Sequence, residues 1–112
     1  MATNVTTTPV KNTVIYQAFI TPNSIGANQI LAAVPGLKIR VLSAAIVTTA
    51  ANSVKFQSAA NDISALWPLG ANGGFVLPYN EHGWVQTNAG EALNINLSAA
   101  TSTGVHVQYI VL

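Results

Sequence analysis

Turn-forming residues recur about every ten positions along this chain, and that spacing limits the fold more than any other feature. The signals are Pro22-Asn23, Pro35-Gly36, Ala51-Asn52, Asn61-Asp62, Asn72-Gly73, Asn80 to Gly83, Asn88 to Gly90 and Ser102 to Gly104. Many short, evenly spaced segments point to an antiparallel sandwich or barrel rather than to βαβ units. The segments between the turns are rich in β-branched and aromatic residues, as strands require. They are TVIYQAFI (Thr13 to Ile20), QILAAV (Gln29 to Val34), KIRVLSAAIVTT (Lys38 to Thr49), SVKFQS (Ser53 to Ser58), ISALW (Ile63 to Trp67), GFVLPY (Gly74 to Tyr79), GWVQT (Gly83 to Thr87), ALNINLS (Ala92 to Ser98) and GVHVQYIVL (Gly104 to Leu112). An alanine-rich helix at Ile30 to Val34 is the main competing assignment. The expected fold is all-β: an antiparallel β-sandwich, jelly-roll-like, of about eight short strands. A chain of 112 residues supplies one such domain, over residues 12–112, preceded by a flexible polar arm at residues 1–11.

Strand faces carry the functional information. In ALNINLS, Leu93, Ile95 and Leu97 alternate with Asn94, Asn96 and Ser98, so one face packs and the other meets water or a partner. In VHVQYIVL, Val105, Val107, Tyr109 and Val111 oppose His106, Gln108, Ile110 and Leu112, which leaves both faces largely apolar to the last residue. The long segment from Lys38 has the same character, with neither face plainly wet. A terminal strand with two apolar faces needs cover on both, and exposed apolar patches on monomers usually mark interaction surfaces. Self-association supplies the cover most simply. Closed rings are the common outcome, and a trimer is expected, with His106, Gln108, Ile110 and Leu112 at its interface; the alternative is that Ile110 and Leu112 sit under the N-terminal arm of the same chain.

Composition narrows the function. Half of the residues are hydrophobic and only 6% are charged, against roughly 25% in ordinary soluble domains. The polar share is Asn, Thr, Ser and Gln, which tolerate close neighbours without repulsion. The net charge of +1 includes no run of like sign, whereas tracking a phosphate backbone needs clustered cations; a nucleic-acid partner is not expected. There is no cysteine, hence no disulfide or thiolate metal site. No basic start followed by an apolar run opens the sequence, and its longest apolar stretches are too short to span a bilayer. No membrane partner is expected, and synthesis is expected in a cytoplasm.

Candidate chemistry is sparse. The histidines are His82 and His106, the carboxylates Asp62, Glu81 and Glu91, and no serine occupies a nucleophile elbow. Glu81 beside His82 lacks a second spaced ligand, and Glu81 with Glu91 sets no distance for glycoside hydrolysis. No catalytic residue, metal site or cofactor is expected, although a small hydrolase using Glu81 or His82 is a formal rival. LGANGG, Leu69 to Gly74, lacks the lysine and the following helix of a phosphate cradle and reads as a turn. Trp67, Tyr79 and Trp84, with Glu81 and His82 at a loop tip, form a possible ligand or partner loop, because flat aromatics near loops stack on sugar rings. Against that, each tryptophan plugs a sandwich end while its N–H finds a carbonyl.

The segment from Val54 to Leu112, with VKFQS, the ANGGFVLPY hairpin, the GW after it and AGEALNINLSAAT before a final strand, resembles small β-sandwich proteins that recur in tailed-bacteriophage and prophage genomes. The resemblance covers about the C-terminal half and rests on turns and strand alternation. It implies a non-enzymatic virion component, a capsid decoration or cement protein whose partners are copies of itself and the major capsid protein or another virion protein. The matched residues are structural, so no ligand-binding residue carries over. The alternative is a carbohydrate- or receptor-binding module of a phage tail or fibre.

Overall fold

The computed structural model describes residues 14–112; the polar arm expected at residues 1–11 lies outside them. Ten strands follow one another without a helix among the described residues: β1 (Tyr16–Ile20), β2 (Gly26–Leu31), β3 (Ile39–Thr48), β4 (Asn52–Ser58), β5 (Asn61–Asp62), β6 (Trp67–Leu69), β7 (Gly74–Leu77), β8 (Val85–Gln86), β9 (Leu93–Leu97) and β10 (Thr103–Val111). They pair antiparallel in two five-stranded sheets. Sheet A has the order β1-β10-β3-β7, with β8 also on β3; sheet B has the order β2-β9-β4-β5, with β6 also on β4. Counted as broken edge strands, β5 with β6 and β7 with β8 reduce the set to eight, and the chain then winds between sheets as a jelly roll does. The expected fold class is therefore the one found.

Three segments differ from expectation. QILAAV forms its strand three residues earlier, from Gly26, and stops at Leu31, so the alternative helix at Ile30 to Val34 is absent and Ala32 and Ala33 are exposed coil. ISALW is not a continuous strand. The Ser64 hydroxyl accepts the Phe56 N–H at 2.8 Å and the Ile63 N–H bonds the Phe56 carbonyl at 3.0 Å, which ends β5 before β6 begins. GWVQT shortens to a two-residue strand.

The core lies between the sheets. Ile39, Val41, Ala44, Ile46, Val105 and Val107 from sheet A meet Val54, Phe56, Leu93, Ile95 and Leu97 from sheet B. Apart from Ala44, each such side chain contributes about 1.5–3 kcal/mol on burial. β3 is buried at Ile39, Val41, Leu42, Ala44, Ile46 and Thr48, and its core-facing set changes parity between Val41 and Ala44. A bulge causes this: Gln108 pairs with Ser43 and Tyr109 with Val41, leaving Leu42 as the extra residue. That bulge explains why neither face of the Lys38 segment reads as wet.

Candidate interaction face

The two outer sheet faces differ in kind. On sheet B, Asn94, Gln57 and Asp62 stand in one cross-strand row and Asn96 and Lys55 in the next. Asn96 Nδ2 donates to Gln57 Oε1 at 3.2 Å, Gln57 Nε2 to Asp62 Oδ1 at 2.9 Å, and Lys55 Nζ to Asp62 Oδ2 at 3.0 Å. The Gln57 amide, and after it the Lys55 ammonium, holds the Asp62 carboxyl below its ordinary value. This is a polar face knit by cross-strand hydrogen bonds, with Gln57 itself buried among them.

Sheet A presents an apolar one. Phe19, His106, Ala45 and Val76 are cross-strand partners in a single row over β1, β10, β3 and β7. At about 4.8 Å between strands the row spans about 14 Å. Phe19 is 73% exposed and Val76 70%, and in the next row Val47, between Gly104 and Gly74, is exposed as well. Two shallow open grooves meet at Ala45 and His106: one of about 320 Å³ runs toward Val76, Pro78 and Tyr79, the other of about 310 Å³ toward Phe19 and Val47. His106 is the polar member of the row, stacked on Phe19 at 5.6 Å and sharing a 3.0 Å hydrogen bond with Gln17 Oε1. Beside it, Ser43 Oγ donates to Gln108 Oε1 at 2.9 Å.

The four residues expected at an interface fall on this face or at its end. His106 is exposed and Gln108 and Ile110 are half-buried. Leu112 is 43% exposed even though its backbone is tied at both ends to Lys38, by bonds of 2.9 and 2.7 Å. A leucine held in a fixed, uncovered position by two backbone bonds is ordered apolar surface, not a fraying end. Phe19, Ala45, Val47 and Val76 were not singled out by sequence reasoning. The signal that finds them is shared parity: the strands with two apolar faces, β1, β3, β7 and β10, all belong to sheet A, while β4 and β9 alternate.

The expected ligand loop separates into two parts. Trp67 packs inward, edge-on to Phe56 at 6.1 Å and tilted against Phe75 at 4.8 Å, as a plug against the core. Tyr79 and Trp84 remain exposed at the corner after β7. That corner is tightly held: Asn80 N donates to the Leu42 carbonyl, Trp84 N to the Val41 carbonyl, and Trp84 Nε1 to the Pro78 carbonyl at 2.7 Å. Glu81 and His82 occupy the exposed tip of a turn closed by Gly83 N on the Asn80 carbonyl, with the His82 N–H accepted by Asn80 Oδ1. Gly83 has φ +83°, and a Cβ there would meet the Arg40 side chain at 2.4 Å. LGANGG is likewise a turn, in which Asn72 supplies φ +57° at the third position and Gly73 N bonds the Gly70 carbonyl.

Glu91 is committed elsewhere. Its carboxylate accepts from Ser58 Oγ at 2.6 Å and Asn88 Nδ2 at 3.1 Å, and the Ser58 bond, more than the Asn88 bond, lowers its pKa. No described hydrogen bond joins it to Glu81. Among the described residues no group of three or more His, Cys, Asp or Glu side chains could hold a metal ion. No family model, no curated protein and no solved structure matches the chain.

Proposed function

We propose that the chain is a non-catalytic structural component of a phage virion, a decoration or cement protein that self-associates and lies against the capsid surface. The observation that supports this most is the contrast between the sheets: one outer face is laced with polar hydrogen bonds, the other carries an in-register apolar row open to water. Contiguous apolar surface of that kind fits association, and the turn-defined, nearly uncharged body suits close packing among copies. The resemblance of Val54 to Leu112 to phage β-proteins supplies the virion setting, with the major capsid protein or another virion protein as the larger partner. The three-fold ring expected from the sequence is one closed form of such an assembly.

The test is the composition of particles made from the genome that encodes the chain. In gradient-purified intact particles, mass spectrometry is expected to find the protein in numbers comparable with the capsid protein. Its absence from intact particles overturns the virion reading.

The fixed, exposed pair Tyr79 and Trp84 supports a second reading, a carbohydrate- or receptor-binding module of a tail or fibre. With Trp67 packed inward, that reading predicts quenching of Trp84 emission by host glycans, and an unchanged spectrum across a broad glycan panel counts against it.

A further inference from the structure

We propose that the β1 edge of sheet A is a strand-addition seam, filled by β1 of a second copy running antiparallel about a two-fold axis at Gln17. β1 pairs only with β10, so its other side is a sheet edge among the described residues. Such edges recruit other strands unless they are guarded. The remaining edges have guards. β7 ends at Leu77 before Pro78, β6 contains Pro68, β5 is two residues beside the Lys55–Asp62 ion pair, and the pairing of β2 is interrupted by a bulge near Ile30. β1 has no charge, proline or bulge.

Exposure at this edge identifies the direction of approach. Val14, Ile15, Tyr16 and Phe19 are all exposed. Within β1, Tyr16 lies on the side of Ala18 and Ile20 and Phe19 on that of Gln17; Val14 and Ile15 lead into the strand, and drawn into its ladder they fall on the Tyr16 and Phe19 sides. A partner docking flat on sheet A covers Phe19 and leaves Val14 and Tyr16 wet. Only an extended strand along the edge reaches both parities while also satisfying the free N–H and C=O groups.

The chemistry of the edge selects its own copy as occupant. Pairing about Gln17 sets Ile15 opposite the partner's Phe19, Val14 opposite the partner's Ile20 and Tyr16 opposite the partner's Ala18, with glutamine facing glutamine at the axis. Apart from that glutamine pair apolar meets apolar, and no Asp, Glu, Lys or Arg lies on β1 or β10 to repel its duplicate. With Val14 and Ile15 drawn into the ladder, the seam is about 23 Å long and buries less than the roughly 1,600 Å² of a standard interface, so the pair is a weak, concentration-dependent one. The two sheets A then join into one continuous apolar face. This seam is an alternative to the three-fold ring, and it rests on the self-association part of the proposed function but not on the virion part.

The chain has no cysteine, so single introduced cysteines report the contact cleanly. Residues facing each other across antiparallel strands sit about 4.5–5.5 Å apart at Cα, within disulfide reach. Gln17→Cys changes an exposed residue and is expected to give a disulfide dimer under mild oxidation. Val76→Cys, exposed on the far strand of the same face, is expected to stay unlinked. Register is tested by charge: Ile15→Lys with Phe19→Lys is expected to raise the dimer dissociation constant at least tenfold relative to Ile15→Lys with Phe19→Glu, measured by sedimentation. Cross-linking at Val76 but not Gln17, or equal constants for the two charge pairs, overturns the seam and leaves self-association standing. A strict monomer with neither cross-link overturns both.

Discussion

Replacing Asn52 with alanine should remove the fastening between the sandwich and the loop that joins β9 to β10. Asn52 is 4% exposed at the start of β4. Its Nδ2 donates to the Ala99 carbonyl at 3.1 Å and lies 3.1 and 3.3 Å from the hydroxyls of Thr101 and Thr103; its Oδ1 accepts from Ser98 N, Ser98 Oγ and Ala99 N at 3.0 to 3.1 Å. Ser98 N keeps a second acceptor, the Ser53 carbonyl, so truncation leaves the Ala99 N–H and C=O without their side-chain partner. At about 1–3 kcal/mol for each of these two stranded polar groups, the expected loss is about 2–6 kcal/mol, a large part of the roughly 5–15 kcal/mol that holds an ordinary domain together. With a urea slope of about 1.5 kcal/mol/M, the unfolding midpoint should fall by about 1–4 M. Asn52→Asp is a useful companion. It keeps the acceptor bonds but sets a carboxylate oxygen against the Ala99 carbonyl where the amide donated, and should also lower the midpoint. A midpoint shift in Asn52→Ala below about 0.5 M, under 1 kcal/mol, would refute the claim that this amide organises the loop.

Other substitutions test other parts of the structure. Phe56→Ala removes a fully buried ring that Trp67 meets edge-on and should cost about 3–5 kcal/mol in urea unfolding. Gly74→Ala would bring a Cβ within 2.3 Å of the Ile46 carbonyl oxygen and 2.9 Å of a Val47 methyl, and should cost about 1–3 kcal/mol where a neutral surface change costs little. Asp62 and Glu91 both have folded pKa values below their ordinary 3.8 and 4.5. Their stabilisation is therefore complete above those values and is lost as pH falls through the lower folded ones. Asp62→Asn with Glu91→Gln should flatten the acid limb of the stability profile below about pH 4.5, read by thermal unfolding across pH. Phe19→Ser with Val76→Ser should leave stability within about 0.5 kcal/mol while reducing association at a given concentration.

How much of this was legible depended on whether local pattern and tertiary pairing agreed. ALNINLS was transparent because β9 lies mid-sheet with one dry and one wet side: Leu93, Ile95 and Leu97 are fully buried, and Asn94 and Asn96 point outward. β3 was opaque because the bulge at Leu42 switches parity inside the strand, and no residue there announces it by a positive φ. β2 was misplaced because Ala32, Ala33 and Val34 have the hydrophobicity of strand but no partner; the ladder to β9 ends at Leu31. At the candidate site, His106 through Leu112 were visible from strand alternation alone. Their neighbours Phe19, Val47 and Val76 were not, because they reach one row only through cross-strand register, which joins residues up to 87 positions apart, as between Phe19 and His106. Trp67 and Trp84 were indistinguishable as letters, and packing separated them.

The central claim is that sheet A carries a face and an edge built to be covered by other copies of the chain. Light scattering on the wild-type protein across the micromolar range tests it most directly. A mass rising to a whole multiple of the chain mass is expected, returning toward the single-chain value in Phe19→Ser with Val76→Ser. A wild-type protein that remains a single chain at every concentration would contradict it.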